Sequence, residues 1–233
     1  MHRSESPFER YLARRQQSPH LFQRGTDDGI QILTDPAEIR AAEAAQASRL
    51  AEQGRAADES QVGVMYEDQY ICVLRDAVRF PDGTLGTYIR VLATRSEYAG
   101  VAIVPVVAGN VVLVHHFRHA TGCWHWELPR GFASSDNPES TAASELAEEI
   151  GATVVQLQPL GIVYPDSGLL ASGVHLYWAD VELTDQATDA REAIAEIRTV
   201  SPGELNSMLA TGQINDGFTL SALALAKAKG LLV

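Results

Sequence analysis

A mixed α/β (α+β) domain behind a helical N-terminal extension is the fold class this sequence predicts, and three observations predict it. From about residue 62 onwards, short β-branched and aromatic runs alternate with stretches of helical character, the mixture expected where strands and helices share one core. The first sixty residues have a different texture, Arg-rich and then Ala-rich. The length of 233 residues, with 45 % hydrophobic and 21 % charged, suits one large domain with a sizeable extension. The expected division is therefore an extension over 1–60 and a main α/β domain over 61–233.

Within the extension, residues 1–24 carry Arg3, Arg10, Arg14, Arg15 and Arg24 against Glu5 and Glu9, with Phe8, Tyr11 and Leu12 at helical spacing. This reads either as a basic arm that forms a helix on a partner or as a frayed terminus, and in both cases as dispensable for chemistry. Asp35-Pro36-Ala37-Glu38 has an N-cap acid, a Pro at the first helical position and an acid three residues after the cap, and it opens an Ala-rich helix ending near Gly54. With Ile39 and Leu50 its only large apolar residues, that helix packs closely but buries little area alone.

Strands are expected at Tyr70–Arg75 and Thr87–Thr94 around a turn at Phe80-Pro81-Asp82-Gly83. The apolar runs Val101–Val107 and Val111–His115, joined by Ala108-Gly109-Asn110, read as a buried hairpin. Asn137-Pro138 starts a helix that stops at Gly151, in the position favoured for a left-handed C-terminal residue. Strands at 154–157, 174–181 and 194–200 and helices at 202–209 and 219–229 complete the reading.

Charge and cysteine usage narrow the function. Thirty Asp plus Glu against 18 Lys plus Arg give a net charge of −12, which argues against general nucleic-acid binding. No run of eighteen apolar residues and no apolar signal core are present, so a cytoplasmic protein without membrane partners is expected. Cys72 and Cys123 make no metal-ligand spacing and are expected to be reduced and buried.

The segment that carries chemistry is Trp126-Glu127-Leu128-Pro129-Arg130-Gly131-Phe132, followed by the helix with Glu145, Glu148 and Glu149. On a helix these three stand at i, i+3 and i+4, on one face and within about 6 Å of one another. Such crowding is unfavourable without a cation, and hard divalent ions prefer carboxylate oxygen. The same spacing is also that of a solvated acidic face. The histidines 115, 116, 119 and 125 lie close in sequence but alternate between faces, which argues against a transition-metal site.

These residues resemble the signature of the Nudix hydrolase family, G-x5-E-x7-R-E-U-x-E-E-x-G-U with U a bulky aliphatic residue. Ser144-Glu145-Leu146-Ala147-Glu148-Glu149-Ile150-Gly151-Ala152 matches its second half at the three acids and the glycine. Phe117-Arg118-His119-Ala120 and the 126–132 segment look like stretches that precede the box in ADP-ribose pyrophosphatases. Three positions depart from the pattern: the loop after Gly131 is one residue short before Asp136, with Glu139 the other candidate acid; Ala152 replaces a bulky residue; and Ser144 stands where the family has an Arg that braces the glutamates.

The resemblance implies a Nudix-type α/β/α sandwich with a mixed sheet, using Mg²⁺ or Mn²⁺ to split ADP-ribose or a related nucleoside diphosphate sugar. It implies Glu145, Glu148, Glu149 and the Arg130 carbonyl as metal ligands, with Glu148 and Glu149 catalytic. The base is then Glu192 in the 184–194 loop, with Asp189 and Glu196 as rivals. Arg118, Glu127, Arg130 and Tyr164 are the substrate-binding candidates, Trp124 and Trp126 could stack on adenine, with core packing the other reading of Trp126 because it alternates with Leu128 in a strand, and a homodimer is implied. A Nudix-fold binding or regulatory module with little catalysis is the competing reading, motivated by Ser144 and the basic arm. Arg118, Arg130 and Arg191 are candidate replacements for the missing brace.

Overall fold

The computed structural model describes residues 5–23, 26, 28–94, 98–133, 137–184 and 193–232. The chain divides into two compact units, one formed by 1–94 with 168–171 and the other by 95–167 with 172–233. The division falls after Thr94 rather than at residue 60. The strands just after residue 60, which composition assigned to the second part, pair with one another and pack with the N-terminal helices.

In the first unit, α1 (Pro7–Gln17) starts with a capping box, Ser6 taking the Glu9 N–H while the Glu9 carboxylate takes the Ser6 N–H. Helix α2 spans Pro36–Glu52 and is capped by Asp35. Strand β3 (Ile71–Arg79) pairs antiparallel with β4 (Leu85–Ala93) on one edge, and with β1 (Gln31–Ile32) and β2 (Gly63–Glu67) on the other. Segment 168–171 lies along β4, with Val91 N–H donating to Leu169 and Ala171 N–H donating to Val91.

The described residues of the basic segment pack within the first unit. Tyr11 is fully buried, and its hydroxyl donates to Asp76 at 2.6 Å. Arg90 holds the other Asp76 oxygen at 2.6 Å, donates to the Leu21 carbonyl and lies 5.0 Å over the Phe22 ring. Arg10 and Arg14 pair with Glu67. Burial, then the Asp76 charge, pushes the Tyr11 hydroxyl well above the usual phenol range. Tyr11→Phe is therefore expected to cost about 2 kcal/mol, the worth of a hydrogen bond to a buried charged group, as a lower urea midpoint. An unchanged midpoint would mean that Arg90 alone satisfies Asp76.

The second unit is a three-layer sandwich. Its sheet runs β11 (Ile194–Val200), β6 (Asn110–Arg118), β5 (Gly100–Val107), β10 (Val174–Leu183) and β9 (Ala152–Val163), with β10 parallel to β5 and the other neighbours antiparallel. Val101, Ile103, Val112 and Val114 face α3 (Pro138–Ile150) through Ala142 and Leu146. Ala102, Val104, Val111 and Leu113 face α4 (Pro202–Ala210) and α5 (Gly217–Ala228). The expected hairpin forms, turning at Ala108 and Gly109, both with positive φ.

That hairpin is split. β5 and β6 pair only at Val106–Val111 and Val107–Asn110, and then part. Into the gap go β7 (Cys123–Glu127), paired to β6, and β8 (Arg130–Phe132), paired to β5. Ile103 N–H donates to the Pro129 carbonyl at 3.0 Å between them. The 126–132 segment thus becomes part of the sheet. Of the two cysteines Cys72 is buried as expected, but Cys123 is exposed at the start of β7.

Candidate active site

Helix α3 delivers the acidic residues. Asn137 caps it through Oδ1, Pro138 occupies its first turn, and Gly151 ends it at φ 60°, a left-handed conformation that a side chain would strain. The Gly151 carbonyl accepts from Thr184 N–H and Oγ1. Along the helix Glu145 is half-buried, Glu148 exposed and Glu149 only 1 % exposed.

Glu145 and Glu149 both meet β8. The Arg130 main-chain N–H donates to Glu149 Oε2 at 3.2 Å. The Glu145 carboxylate lies so close over Gly131 that any Cβ there would collide with it. Glycine is thus needed at 131 for close approach of a carboxylate rather than for a special φ. Glu148 stays at the surface, and among the described residues no three His, Cys, Asp or Glu side chains converge on one point.

Beside this pair, in the sheet, lies a buried ionic group. Glu127 has no exposed surface; Oε1 ion-pairs with Arg118 and lies 3.4 Å from His116 Nδ1, while Oε2 accepts from Arg130 Nη2 at 3.3 Å. The same Nη2 lies 3.3 Å from Asp216 Oδ1, and the guanidinium rests 4.8 Å over Phe218. Arg118 Nε and Arg130 Nε are buried donors without a hydrogen-bond acceptor among the described residues. Burial, then the charges of Arg118 and Arg130, pushes His116 down from 6.5 to about 4, so the imidazole is neutral at pH 7.

A depressed folded-state pKa sets the sign of the pH dependence. Between 6.5 and about 4 the unfolded chain takes up a proton at His116 that the folded chain refuses. The stability it contributes is complete above pH 6.5 and is lost as pH falls towards 4, by about 3 kcal/mol in all. Urea midpoints followed from pH 7 to pH 4 should drop for the wild type and drop less for His116→Gln. Parallel slopes would show that His116 does not titrate in this window.

Other expected site residues fall as follows. Tyr164 is 54 % exposed, with its ring against the bare Cα of Gly173. Trp126 stacks on His115 at 4.6 Å and under Arg198 at 4.4 Å, which makes it a packing residue. Trp124 is exposed beside His115 and Phe117. Glu196 pairs in register with His115, on the sheet face away from α3, and is hydrogen-bonded to Arg198. Glu139 sits in the first turn of α3, ten residues and so about 15 Å along the axis from Glu149. Glu192, Asp189, Arg191 and Asp136 lie outside the described residues.

Sequence reasoning missed His116, Asp216 and Thr219. The sequence Asp216-Gly-Phe-Thr219 carries a usable signal, an N-cap acid three residues before a hydroxyl, ahead of an apolar helix. The guanidinium groups of Arg118 and Arg130, offered as replacements for the brace missing at Ser144, are engaged with Glu127 and Asp216. What reaches Glu149 from Arg130 is main chain.

Comparison with known proteins bears on this arrangement. The NUDIX domain family model matches residues 97–220, which contain α3, the split sheet and the Glu127 group. The chain is 28 % identical over 160 residues to a GDP-mannose pyrophosphatase of Yersinia enterocolitica, covering 65 % of this chain and 84 % of that one. It is 27 % identical over 164 residues to a CMP-5'-(N-acetyl-N-hydroxy-3-aminopropyl)phosphonate hydrolase of Streptomyces rubellomurinus, covering 69 % and 78 %. An ADP-ribose pyrophosphatase of Mycobacterium tuberculosis is 35 % identical over 108 residues, 45 % of this chain and 50 % of the relative. The crystal structure of an ADP compounds hydrolase superposes with a TM-score of 0.63 at 20 % identity, over 73 % of this chain and 93 % of that one, a likeness of fold alone. With more than half of its length matched, and with a sandwich that brings helix-borne glutamates onto a sheet-borne glycine, the chain belongs to the Nudix family of pyrophosphohydrolases.

Proposed function

We propose that this protein hydrolyses the pyrophosphate bond of ADP-ribose or a related nucleoside diphosphate sugar, giving a nucleoside monophosphate and a sugar phosphate. The observation that carries the reading is the meeting of Glu145 and Glu149 with β8, next to two arginines whose buried Nε–H groups have no acceptor among the described residues. Relatives that act on GDP-mannose and ADP-ribose, by their names, support the substrate class.

The donors on α3 suit a hard divalent cation. They are all oxygen, no Lys or Arg lies in the helix to neutralise them, and the cradle at Gly131 admits a carboxylate where any side chain would fill it. Glu145, Glu148, Glu149 and the Arg130 carbonyl are the proposed ligands, with Mg²⁺ or Mn²⁺ as the ion. When bound, such an ion supplies charge neutralisation at the diphosphate and a more acidic attacking water.

The rest is performed by the chain itself. Arg130 N–H fixes the Glu149 carboxylate before substrate arrives, which lowers the reorganisation left to the reaction. Arg118 is held by Glu127, and its Nε–H, without an acceptor among the described residues, is proposed to donate to a phosphate or ribose oxygen of the substrate. Glu127 sets the orientation of Arg118 and Arg130, and Tyr164 offers an exposed ring as a platform at the sheet end. Glu192 is the proposed base that takes the proton of the attacking water. The working unit is proposed to be a cytoplasmic homodimer acting on this small molecule.

The test is a screen of ADP-ribose, ADP-glucose, GDP-mannose, NADH, diadenosine polyphosphates and nucleoside triphosphates with Mg²⁺, reading released phosphate monoesters. Preference for a nucleoside diphosphate sugar is expected. Strong preference for the triphosphates would overturn the substrate class, and tight binding without turnover of any of them would favour a binding module.

A further inference from the structure

The N-terminal turn of α5 makes more contacts with β7 and β8 than capping a helix requires. Asp216 Oδ2 accepts from Thr219 N–H at 2.9 Å and from Thr219 Oγ1 at 2.8 Å, which completes the cap. Ser6, Asp35, Asn137 and Ser201 cap α1, α2, α3 and α4, each through a single side-chain oxygen. Asp216 has a second oxygen, and it lies 3.3 Å from Arg130 Nη2.

Thr219 has no exposed surface, and its hydroxyl proton goes to Asp216. Its lone pair is thereby turned to accept the Leu128 N–H at 3.0 Å. Asn215 Oδ1 lies 2.9 Å from His125 Nδ1. The strand segment is thus held from α5 at 125, 128 and 130, on both sides of the Pro129 carbonyl that β5 takes up. The last of these residues is the one whose main-chain N–H holds Glu149.

Charge explains why an acid stands at 216. Arg118 and Arg130 bring two positive charges to a buried place where His116 is neutral, and Glu127 supplies one negative charge. With Asp216 the group is balanced, and the Arg130 side chain has two carboxylates to rest between. An Arg130 with only Glu127 as partner would be drawn to one side, and its main chain with it.

We propose that Asp216 is a positioning residue for the acidic helix: through Arg130, and through Thr219 and Leu128, it keeps the Arg130 N–H where it receives Glu149. This rests on the reading of Glu149 as a metal ligand. In this role Asp216 acts through Arg130 and Thr219, which it contacts directly.

The experiment compares the full chain with Asp216→Asn and Asp216→Ser, both of which keep a capping oxygen and remove the charge. Mn²⁺ affinity without substrate is followed by the electron paramagnetic resonance signal of the free ion, and kcat and KM are measured alongside. Loss of outer-shell positioning is expected to weaken Mn²⁺ binding and lower kcat by about tenfold each. The thermal midpoint without metal should stay close to the wild type, because the cap survives. Mn²⁺ affinity and kcat per folded molecule within twofold of the wild type in both variants would overturn the proposal. So would a lower midpoint as the only change, since that is a purely structural role. A wild type that binds Mn²⁺ but cleaves no pyrophosphate would sink the proposed function, and the Mn²⁺ comparison alone would then decide the role of Asp216.

Discussion

Glu149→Gln is expected to lower turnover at least about a hundredfold, roughly 2.7 kcal/mol of transition-state stabilisation, while the protein stays folded. The substitution keeps the shape and the oxygen that accepts from Arg130 N–H, so α3 and β8 stay together. It removes one negative charge from the helix face that is proposed to hold the cation. A lower kcat with little change in thermal midpoint is the result to look for, with Mn²⁺ binding weakened in parallel. Glu148, exposed on the same face, tests a different point. If Glu148→Gln loses as much turnover as Glu149→Gln, the exposed residue joins the working site when the cation binds. If only Glu149→Gln loses it, the ligand set is the pair already gathered on β8. Activity that survives both substitutions, or persists in excess chelator, would remove the metal mechanism.

The parts of this molecule that were legible in the sequence are those whose causes are local. Asn137-Pro138 and Gly151 bound α3 because a cap, a proline and a left-handed glycine act within one turn. The β5–β6 hairpin was readable from two apolar runs and a short turn. What was not readable depends on residues far apart in the chain. Tyr11 finds Asp76 across 65 positions, and Arg10 and Arg14 find Glu67 across more than fifty, so a segment that composition describes as a basic arm becomes core. Helical spacing alone puts the three glutamates on one face, yet burial separates them, because β8 covers only the side of α3 that carries 145 and 149.

The split in the β5–β6 hairpin had the largest consequence for the site and was also not legible. Val101–Val107 and Val111–His115 look like a continuous ladder, whereas β7 and β8 take the places that each would have offered the other. A segment that would otherwise be a surface loop is thereby held in the sheet at both ends. Its polar side chains are then forced to find partners inside. Glu127 meets Arg118 and Arg130 for this reason, and the sheet, rather than a loop, positions the main chain against which α3 sets its acids.

Glu127→Ala is expected to destabilise the protein by about 3–5 kcal/mol, because it removes the carboxylate between two guanidinium groups that have little access to water and leaves a cavity. For a chain of this size that corresponds to a fall in thermal midpoint of roughly 10 °C. Glu127→Gln should cost less, since the amide keeps the volume and one acceptor for Arg130. The Ala variant has a further expected property. With the side chain gone, Arg118, Arg130 and a neutral His116 surround a space that lacks one negative charge, and a small carboxylate can take that place. Formate or acetate at tens of millimolar should therefore raise the thermal midpoint of Glu127→Ala by more than that of the wild type or of Glu127→Gln, at equal ionic strength. Rescue that depends only on ionic strength would mean that the guanidinium groups turn out to solvent when Glu127 is lost. A midpoint unchanged by Glu127→Ala would show that the buried ion group contributes orientation without stability. In that case its worth would be seen only in KM and kcat, where Arg118 and Arg130 would no longer be held in place for the substrate.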